Sequence, residues 1–427
     1  MSVLRPGKRV ALLCSEPLGP RMGGIGIRYL ELATHLPWHG LATVLISPGD
    51  PDGLADRPPG LVDVRRFEAR RLHRQVADCD CVVAQGELAN HLLNDGAGVP
   101  TVIDLYDPWL VENLYYSETL GHGPYHRDHA SWIRQLAGGD FFLCASEEQR
   151  LFYSGFLTAL GRVNPATTGR DPDLEQLIAV VPFGVAAQLP DHRPFVAPAT
   201  GARKRILFGG LYDWYDPWTL LAALEQLDGL DWSVLFMRNA RAELTPQRLL
   251  GEVEARCTRR PEWRQRVEFL DWVPAARRFD LLRDVDVLVS PHRPSLETRL
   301  SMRTRFLDAL VAGCPVIATA GGTVSRLLVE HGAGWVVPPG DPAALSAALH
   351  AVLAGGEAVQ ERVARGLRLA QELSWERVLA PLVRFCSNPG MDDTKGDFAV
   401  ELRGKKPAAD IGARLRRALK PHDRVRS

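Results

Sequence analysis

The sequence predicts an α/β protein built of two doubly wound domains. Short apolar runs typical of buried strands alternate with helical patterns, and they do so in two successive series. A chain of 427 residues is too long for one ordinary core and suits two or three domains. The stretch between the two series, 186–204, contains three prolines and is typical of a linker. We therefore predict domains at 1–185 and 205–386, followed by a flexible tail at 387–427.

Composition narrows the class of protein. Lys plus Arg and Asp plus Glu both number 51, so no overall basic footprint indicates a nucleic-acid partner. The seven cysteines are an odd number without a CxxC pair, which favours a reducing cytoplasm over an oxidising compartment. The apolar run at 10–14 is too short for a signal peptide, and no run reaches the ~18 residues of a membrane span. We therefore expect a cytoplasmic protein that would meet a membrane only at its surface.

The first series opens with a buried strand, a glycine-rich loop and a helix, at 10–14, 22–28 and 29–36. Further strands are predicted at 42–47, 81–84, 101–104, 141–145 and 178–181, with a helix at 130–137 among them. Strands that alternate with helices pair in parallel and are covered on both faces. This series predicts the first domain.

The second series repeats the pattern after the linker. Its strands are predicted at 205–210, 233–237, 267–270, 285–290, 316–319 and 334–337. Its helices are predicted at 220–227, 275–283, 342–353, 359–373 and 375–385. The same argument predicts a second parallel sheet with helices on both faces.

The stretch 297–322 organises the second series. Ser301 is suited to cap a helix, and Gly313 is suited to the position just past its end. Ser301, Arg305 and Asp308 lie three or four residues apart and share one face of that helix. An arginine beside a helix N-terminus suits a phosphate, and a carboxylate one turn later suits a sugar diol. Asp308 could also pair with Arg305.

Six motifs occur in order along the chain: GGIG at 23–26, VPFGV at 181–185, LFGG at 207–210, DALVAGCPVI at 308–317, GAGWVVPPG at 332–340 and SWER at 374–377. In this order they resemble the GT-B glycosyltransferases, and above all their large retaining family 4 of sugar-nucleotide-dependent enzymes. Each motif alone is weak, but together they cover roughly residues 8–386. The resemblance implies a GT-B fold: two Rossmann-like domains facing across a cleft. It also implies that the second domain binds the nucleotide sugar and that the last helix crosses back to the first.

In that family, two acidic residues eight positions apart frame the donor site. The spacing to Gly313 aligns the second of them with Asp308, and the position eight residues earlier holds Leu300. The nearest acid is Glu297, followed two residues later by Arg299. The resemblance therefore implies a divergent branch in which Glu297 and its neighbours take over the role of the first carboxylate.

The phosphate site also departs from the family pattern. Most members carry an Arg and a Lys after the two glycines that open the second domain, here Gly209 and Gly210. Those two positions hold Leu211 and Asp216 in this chain. The cations that would replace them are Arg299, Arg303 and Arg305.

The loop that contains Gly23, Gly24 and Gly26 has three interpretations. It begins like a dinucleotide-binding fingerprint, but Tyr29 stands where the third glycine is required. It could also be a plain turn from strand to helix. The resemblance favours a loop that contacts donor phosphate or acceptor, with Arg28 on the first helical turn.

Asp107 follows a first-domain strand and so faces the predicted cleft. We expect it either to contact the donor sugar or the acceptor, or to cap a helix before Pro108. The aromatic side chains of a second-domain loop either stack on a sugar or base or pack beneath the loop. They are Tyr212, Trp214, Tyr215 and Trp218.

No metal site or nucleophilic triad is predicted. His122, His126 and His129 have a suggestive spacing, but Gly123 and Pro124 interrupt it and no carboxylate or cysteine completes a ligand set. In the resembling family the leaving diphosphate can take the acceptor's proton on the same face, so no dedicated base is needed. The implied catalytic residues are Glu297, Arg305 and Asp107. The implied donor-binding residues are Gly23, Gly24, Gly26, Gly209, Gly210, Arg299, Arg303 and Asp308.

The main hypothesis is a metal-independent, retaining glycosyltransferase without a cofactor. It would move a sugar from a nucleoside diphosphate sugar to a glycan or lipid-linked acceptor in bacterial surface polysaccharide assembly. Two alternatives stay open: a sugar-nucleotide epimerase of the same fold, and a catalytically silent sugar-nucleotide-binding protein. The absence of the expected Arg and Lys after Gly210 supports the silent protein.

The C-terminal tail is strongly basic. From Arg403 onward it holds nine Lys or Arg residues against two Asp residues. Ile411, Leu415 and Leu419 recur every four residues among these bases, which is the pattern of a weak amphipathic helix. We expect 411–420 to make peripheral contact with the inner face of a membrane. A disordered, solvated tail is the alternative.

Overall fold

A computed structural model describes residues 7–54, 57–95, 98–198, 201–238 and 247–398. In these residues the chain forms two separate parallel sheets, one of seven strands and one of six. Helices connect the strands in both sheets. The α/β prediction of two doubly wound domains is therefore confirmed.

The first sheet has the strand order β3-β2-β1-β4-β5-β6-β7. Its strands are β1 (Arg9–Leu13), β2 (Ala42–Ser47), β3 (Leu61–Arg66), β4 (Cys81–Ala84), β5 (Thr101–Asp104), β6 (Phe141–Cys144) and β7 (Ile178–Val180). Its helices are α1 (Gly24–His35), α2 (Leu72–Gln75), α3 (Ala89–Asp95), α4 (Trp109–Glu112), α5 (Ser117–Leu120), α6 (Gly123–Gly138), α7 (Glu147–Ala159) and α8 (Pro165–Arg170). The order reverses between β1 and β4, and such a reversal opens a crevice at the carboxyl ends of parallel strands.

The second sheet has the order β10-β9-β8-β11-β12-β13. Its strands are β8 (Lys204–Gly210), β9 (Trp232–Met237), β10 (Val267–Leu270), β11 (Val287–Ser290), β12 (Val316–Thr319) and β13 (Trp335–Val337). Its helices are α9 (Pro217–Leu224), α10 (Arg248–Thr258), α11 (Arg278–Arg283), α12 (Leu296–Leu300), α13 (Thr304–Ala312), α14 (Thr323–Glu330), α15 (Pro342–Ala354), α16 (Glu357–Glu372), α17 (Trp375–Val378) and α18 (Ala380–Ser387). The order reverses between β8 and β11, so this sheet also has a crevice at its carboxyl edge.

Helix α1 begins at Gly24 and not at Tyr29, so the predicted glycine-rich loop at 22–28 is wrong over most of its length. The glycines that were assigned to a loop form the first turn of the helix. The Glu16 carboxylate accepts hydrogen bonds from the N–H groups of Gly23 and Gly26. This contact across the β1–α1 connection satisfies N–H groups that a helix start leaves without partners. A glycine-rich segment can therefore begin a helix here.

The stretch 297–322 contains two helices, α12 and α13, before β12. Ser301 was predicted to cap α13, but it does not. It follows α12, and its hydroxyl donates to Glu112 of the first domain at 3.2 Å. Helix α13 begins only at Thr304. Gly313 ends α13 with φ at +71°, the left-handed conformation expected of a glycine just past a helix.

Two neighbouring residues of α7 join the domains. The Gln149 side-chain amide donates to the carbonyl of Tyr106 in the first domain at 2.9 Å and to that of Leu300 in the second at 2.8 Å. Glu148 accepts from the Thr323 hydroxyl at 2.9 Å and pairs with Arg326 at 3.0 Å. These contacts close the two domains on one side of the cleft.

The last helix, α18, crosses back to the first domain, where Phe385 stacks on Phe141 with ring centroids 4.7 Å apart. Residues 388–398 then pack on the same domain, so the flexible tail predicted from 387 is wrong for this part. Asp392 pairs with the buried Arg162 at 2.7 Å, and Lys395 pairs with Asp140 at 2.6 Å. The predicted membrane-contact segment 411–420 lies outside the described residues.

No single helix among the described residues is long and apolar enough to cross a membrane. Helices α15 and α16 are together long and apolar enough, but the chain bends by 96° between them.

Candidate active site

A cavity of about 500 Å³ lies between the two sheets and is lined by both domains. Ser15 and Glu16 follow β1 at its floor, and Tyr106 and Asp107 follow β5. Gly209, at the end of β8, lines the opposite wall. Both walls therefore come from the carboxyl ends of parallel strands, where open α/β sheets place their ligands.

The start of α1 forms one part of the first-domain wall. The N–H groups of Gly23 and Gly26 each donate to a Glu16 carboxylate oxygen at 2.6 Å. Gly23 and Gly24 line the cavity, and the prediction that these glycines contact donor phosphate stays a prediction. Glu16 was not among the predicted site residues, although its place directly after a strand was the available signal.

Arg28 does not face a ligand. Its guanidinium is fully buried and pairs with Asp104 through two hydrogen bonds of 2.7 and 3.1 Å. It also donates to the carbonyl groups of Val181 and Pro182. The sequence interpretation placed Arg28 on the first helical turn, after a loop that contacts donor phosphate or acceptor. In the structure this side chain links α1 to β5 and to the end of the first domain.

Asp107 lies at the cavity beside a second carboxyl, that of Glu112. Loss of hydration raises the pKa of Asp107 to about 7. The charges of Glu297, Asp104 and Glu16 also raise this pKa, whereas a hydrogen bond with Glu112 lowers it. Loss of hydration and the Asp107 charge raise the pKa of Glu112 well above its usual range. The hydrogen bond between the two carboxyl groups favours the charged form of Asp107. This pair was only half predicted, since Glu112 was missed.

On the second-domain wall, Arg305 lies flat against the two glycines that end β8. A Cβ atom on Gly209 would come within 2.8 Å of Arg305 Nη1, and one on Gly210 within 2.8 Å of Nη2. Gly209 also has φ at +81°, which disfavours any side chain. Among the described residues Arg305 has no carboxylate partner, and it lines the cavity. It is thus a cation available to an anionic ligand.

Glu297 and Arg303 are paired with each other. The carboxylate of Glu297 is fully buried and accepts two hydrogen bonds of 2.6 Å from the Arg303 guanidinium. Arg303 lines the cavity, but Glu297 does not. Glu297 was predicted to be catalytic; the structure places its carboxylate outside the cavity wall, paired with Arg303.

Arg299 was predicted to bind donor phosphate, but the structure does not bring it to the cavity. Its side chain is exposed on α12 and is not part of the cavity wall. The helix α12 turns this position outward because Glu297 and Leu300 occupy its buried face.

Asp308 lines the cavity, as predicted, but its partner is not Arg305. Its carboxylate pairs with Arg278 of α11 at 3.3 Å, and Arg278 also approaches Glu31 of the first domain at 3.7 Å. Burial raises the pKa of Asp308, against the attraction of Arg278. Arg278 itself lines the cavity and was missed, because only the fold brings α11 beside α13.

The two positions after Gly210 that carry cations in the resembling family supply none here. Leu211 is buried, and Asp216 caps α9 by accepting from the Thr219 N–H at 3.3 Å. The loop between them is aromatic: Tyr212 and Trp214 stack with centroids 4.8 Å apart, and both line the cavity. The Arg305 guanidinium also lies 6.0 Å from the centre of the Tyr212 ring.

No group of three or more His, Cys, Asp or Glu side chains that could hold a metal ion occurs in the described ranges. His126 and His129 instead contact the ring of Tyr125.

Comparisons with known proteins give consistent results. Residues 219–355 match the model of a family described as glycosyl transferases group 1. A phosphatidyl-myo-inositol mannosyltransferase of Mycobacterium leprae is 24% identical over 386 residues, which cover 88% of this chain and 96% of that protein.

Solved structures resemble the whole described chain. Anabaena Alr3699/HepE in complex with UDP-glucose has a TM-score of 0.65 at 15% identity, covering 89% of this chain and 99% of that one. Sucrose-phosphate synthase from Thermosynechococcus elongatus has a TM-score of 0.63 at 16% identity, covering 88% and 98%. The likeness therefore extends over both domains.

Proposed function

We infer that this chain is a glycosyltransferase of the group 1 type with the GT-B fold. It transfers a sugar from a nucleoside diphosphate sugar to a hydroxyl group of a glycan or glycolipid, with retention of the anomeric configuration. The observation that carries the proposal is the distribution of charged side chains in the cavity. Three arginines, Arg278, Arg303 and Arg305, line the second-domain wall together with Asp308. Three carboxyl groups, those of Glu16, Asp107 and Glu112, line the first-domain wall together with Arg21. Such an arrangement suits an anionic donor on one side and a hydroxyl-bearing acceptor on the other.

The donor diphosphate would bind at Arg305, next to Gly209. The absence of side chains at Gly209 and Gly210 lets the guanidinium lie on the backbone and leaves its cavity side open to phosphate oxygens. Asp308, one turn further along α13, can accept hydrogen bonds from donor hydroxyl groups. UDP-sugars are the first donors to test, because a structural neighbour was solved in complex with UDP-glucose.

Retention would proceed on one face of the donor sugar. The bond between the anomeric carbon and the diphosphate oxygen breaks, the acceptor oxygen forms the new bond, and the acceptor proton passes to the departing phosphate. The arginines stabilise the negative charge that develops on the diphosphate, and the closed domains hold both substrates in place. Asp107 would accept a hydrogen bond from the acceptor hydroxyl and orient it.

The silent protein and the epimerase are the alternatives that the sequence left open. The loss of cations at Leu211 and Asp216 favoured the silent protein, but Arg305 offers a guanidinium beside the same glycines. This second source of charge supports a working transferase. An epimerase would release an altered sugar without any acceptor.

The test begins with a thermal-shift screen against UDP-, GDP-, dTDP- and ADP-sugars, since specific binding stabilises the folded state. The donor that binds is then incubated with the enzyme, and the released sugar and nucleotide are followed by proton NMR. We expect slow hydrolysis that first yields the sugar with its original anomeric configuration. Release of the opposite anomer would contradict retention, and no shift with any donor would contradict the proposal as a whole.

The cytoplasmic location and the role in surface polysaccharide assembly rest on composition and on resemblance. Contact of residues 411–420 with an anionic bilayer would bring the enzyme to a lipid-linked acceptor. These three points are part of the proposal.

A further inference from the structure

Two carboxyl groups of the first domain lie side by side at the cavity wall. Asp107 precedes the short helix α4, and Glu112 is the last residue of that helix. Both line the cavity, and a hydrogen bond joins their carboxyl groups. Two carboxylates can only accept hydrogen bonds, so a hydrogen bond between them requires a proton. The pair therefore holds at least one proton.

The second domain fixes the position of Glu112. The Ser301 hydroxyl, just past α12, donates to Glu112 Oε1 at 3.2 Å. The carbonyl of the preceding residue, Leu300, accepts from the Gln149 amide at 2.8 Å, which holds the end of α12 against the first domain. A protonated Glu112 can accept from Ser301 with its carbonyl oxygen and donate to Asp107 with its hydroxyl group.

The surroundings favour ionisation of Asp107 before Glu112. Loss of hydration raises the pKa of both groups, that of Asp107 to about 7 and that of Glu112 well above its usual range. Their mutual effects are opposite: the hydrogen bond with Glu112 lowers the pKa of Asp107, whereas the Asp107 charge raises the pKa of Glu112. The proton of the pair therefore belongs on Glu112 once the first ionisation has occurred.

Charged groups face this pair from both domains. Glu16 and Asp104 belong to the first domain, and Glu297 and Arg303 belong to the second. Three of the four are acidic, and the fourth, Arg303, is paired with Glu297. Phenol groups also face the pair, those of Tyr106, Tyr116, Tyr153, Tyr212 and Tyr215. These neighbours oppose a second negative charge in the pair.

We propose that Glu112 is a positioning residue for Asp107: it donates a hydrogen bond that holds the Asp107 carboxylate charged and aimed at the acceptor hydroxyl group. This proposal rests on the proposed transferase function, in which Asp107 orients that hydroxyl group. A hydroxyl group forms a stronger hydrogen bond with a carboxylate than with a neutral carboxyl group. Glu112 thus acts through Asp107 and needs no contact of its own with the substrate.

The experiment follows the two carboxyl groups by ¹³C NMR of the full chain, without donor or acceptor. Aspartate labelled at its side-chain carboxyl carbon reports on Asp107, whose resonance is identified by its loss in Asp107→Asn. In the wild type we expect a titration midpoint at about pH 7. Glu112→Met keeps a side chain of similar length but cannot donate, so the midpoint should rise by about one unit or more. Glu112→Gln can still donate through its amide, so the midpoint should stay within about half a unit of the wild type.

Glu118→Met is the matched control, because it makes the same substitution at the surface. Glu118 lies on α5, where its side chain is 79% exposed and approaches Arg248 at 3.7 Å. This variant should leave the Asp107 midpoint at the wild-type value.

Glutamate labelled in the same way gives a second measurement, which does not depend on the folding of Glu112→Met. The Glu112 resonance of the wild type, identified by its loss in Glu112→Gln, should keep the chemical shift of a protonated carboxyl group through the pH at which Asp107 ionises. Loss of the Glu112 proton before that of Asp107 would overturn the proposal, and so would equal Asp107 midpoints in the wild type and Glu112→Met. Failure of the transferase proposal would show differently: no nucleotide sugar would give a thermal shift, and both titrations would stay as described.

Discussion

Glu297 and Arg303 are joined by two hydrogen bonds of 2.6 Å, with the carboxylate fully buried and only 12% of the arginine side chain exposed. Six residues and a break between two helices separate them in the chain. The buried carboxylate of Glu297 holds the guanidinium of Arg303 at the cavity wall. It therefore links the packing of α12 to the charge of the site.

Glu297→Ala should lower the free energy of unfolding by about 3–5 kcal/mol, because it leaves the Arg303 charge buried without its partner. Urea denaturation followed by circular dichroism measures this. Glu330→Ala is the matched control, since it breaks a surface pair with Arg326 at 3.4 Å and should cost about 0–1 kcal/mol. Equal destabilisation by the two variants would contradict the buried-pair interpretation.

Asp308→Ala should weaken binding of the nucleotide donor by about 1.5–3 kcal/mol, as expected for the loss of hydrogen bonds to a charged group. Isothermal titration calorimetry with the donor found in the screen gives the value. Arg278→Met removes the partner of Asp308. It therefore shows whether weaker binding comes from the loss of Asp308 itself or from the loss of its ion pair with Arg278. If Asp308→Ala binds the donor as tightly as the wild type, Asp308 is not a donor ligand.

Transferase activity should persist in excess EDTA, since arginines and helix N-termini can neutralise a diphosphate without a divalent ion. The assay is sugar transfer or donor hydrolysis with and without the chelator. Complete loss of activity that Mg²⁺ or Mn²⁺ restores would contradict this prediction. It would also direct attention back to His122, His126 and His129.

The raised pKa of Asp107 makes its contribution to stability depend on pH. Its pKa rises from 3.8 to about 7 on folding, so between these values the folded state holds more protons and stability falls as pH rises. Asp107→Asn removes this loss. The free energy of unfolding of the variant minus that of the wild type should therefore increase from about pH 5 to about pH 8. A difference that stays constant over this range would contradict the pKa assignment.

The basic tail should promote weak, salt-sensitive binding to anionic vesicles, with each base contributing about 1 kcal/mol near the surface. Co-sedimentation compares the full chain with a version that ends at Phe398. This end point is chosen because Asp392 and Lys395 pack on the first domain, and an earlier truncation would disturb the fold. Equal binding by both versions, or none by either at low salt, would remove the tail from the mechanism.

The repeated alternation of apolar and helical patterns was enough to predict two parallel sheets, because burial on both faces demands continuous apolar strands. Local rules also predicted the end of α13, where Gly313 adopts φ of +71°. A position after a strand pointed to Asp107 at the cavity, and the family resemblance pointed to Gly209. These predictions depend only on short stretches of chain, so the tertiary structure does not change them.

The sequence by itself thus determined the fold class, the domain order and the edge of the sheets where the cavity opens. Only the tertiary structure decided how the charges pair, because the partners of a charge come from elements distant in the chain. Arg28 forms a buried ion pair with Asp104, and Glu297 forms one with Arg303. Arg305 lies against Gly209 and Gly210 and forms no ion pair among the described residues, because the nearby carboxylate of Asp308 pairs with Arg278. Spacing along one helix shows which residues share a face, but it cannot show what the rest of the fold brings to that face.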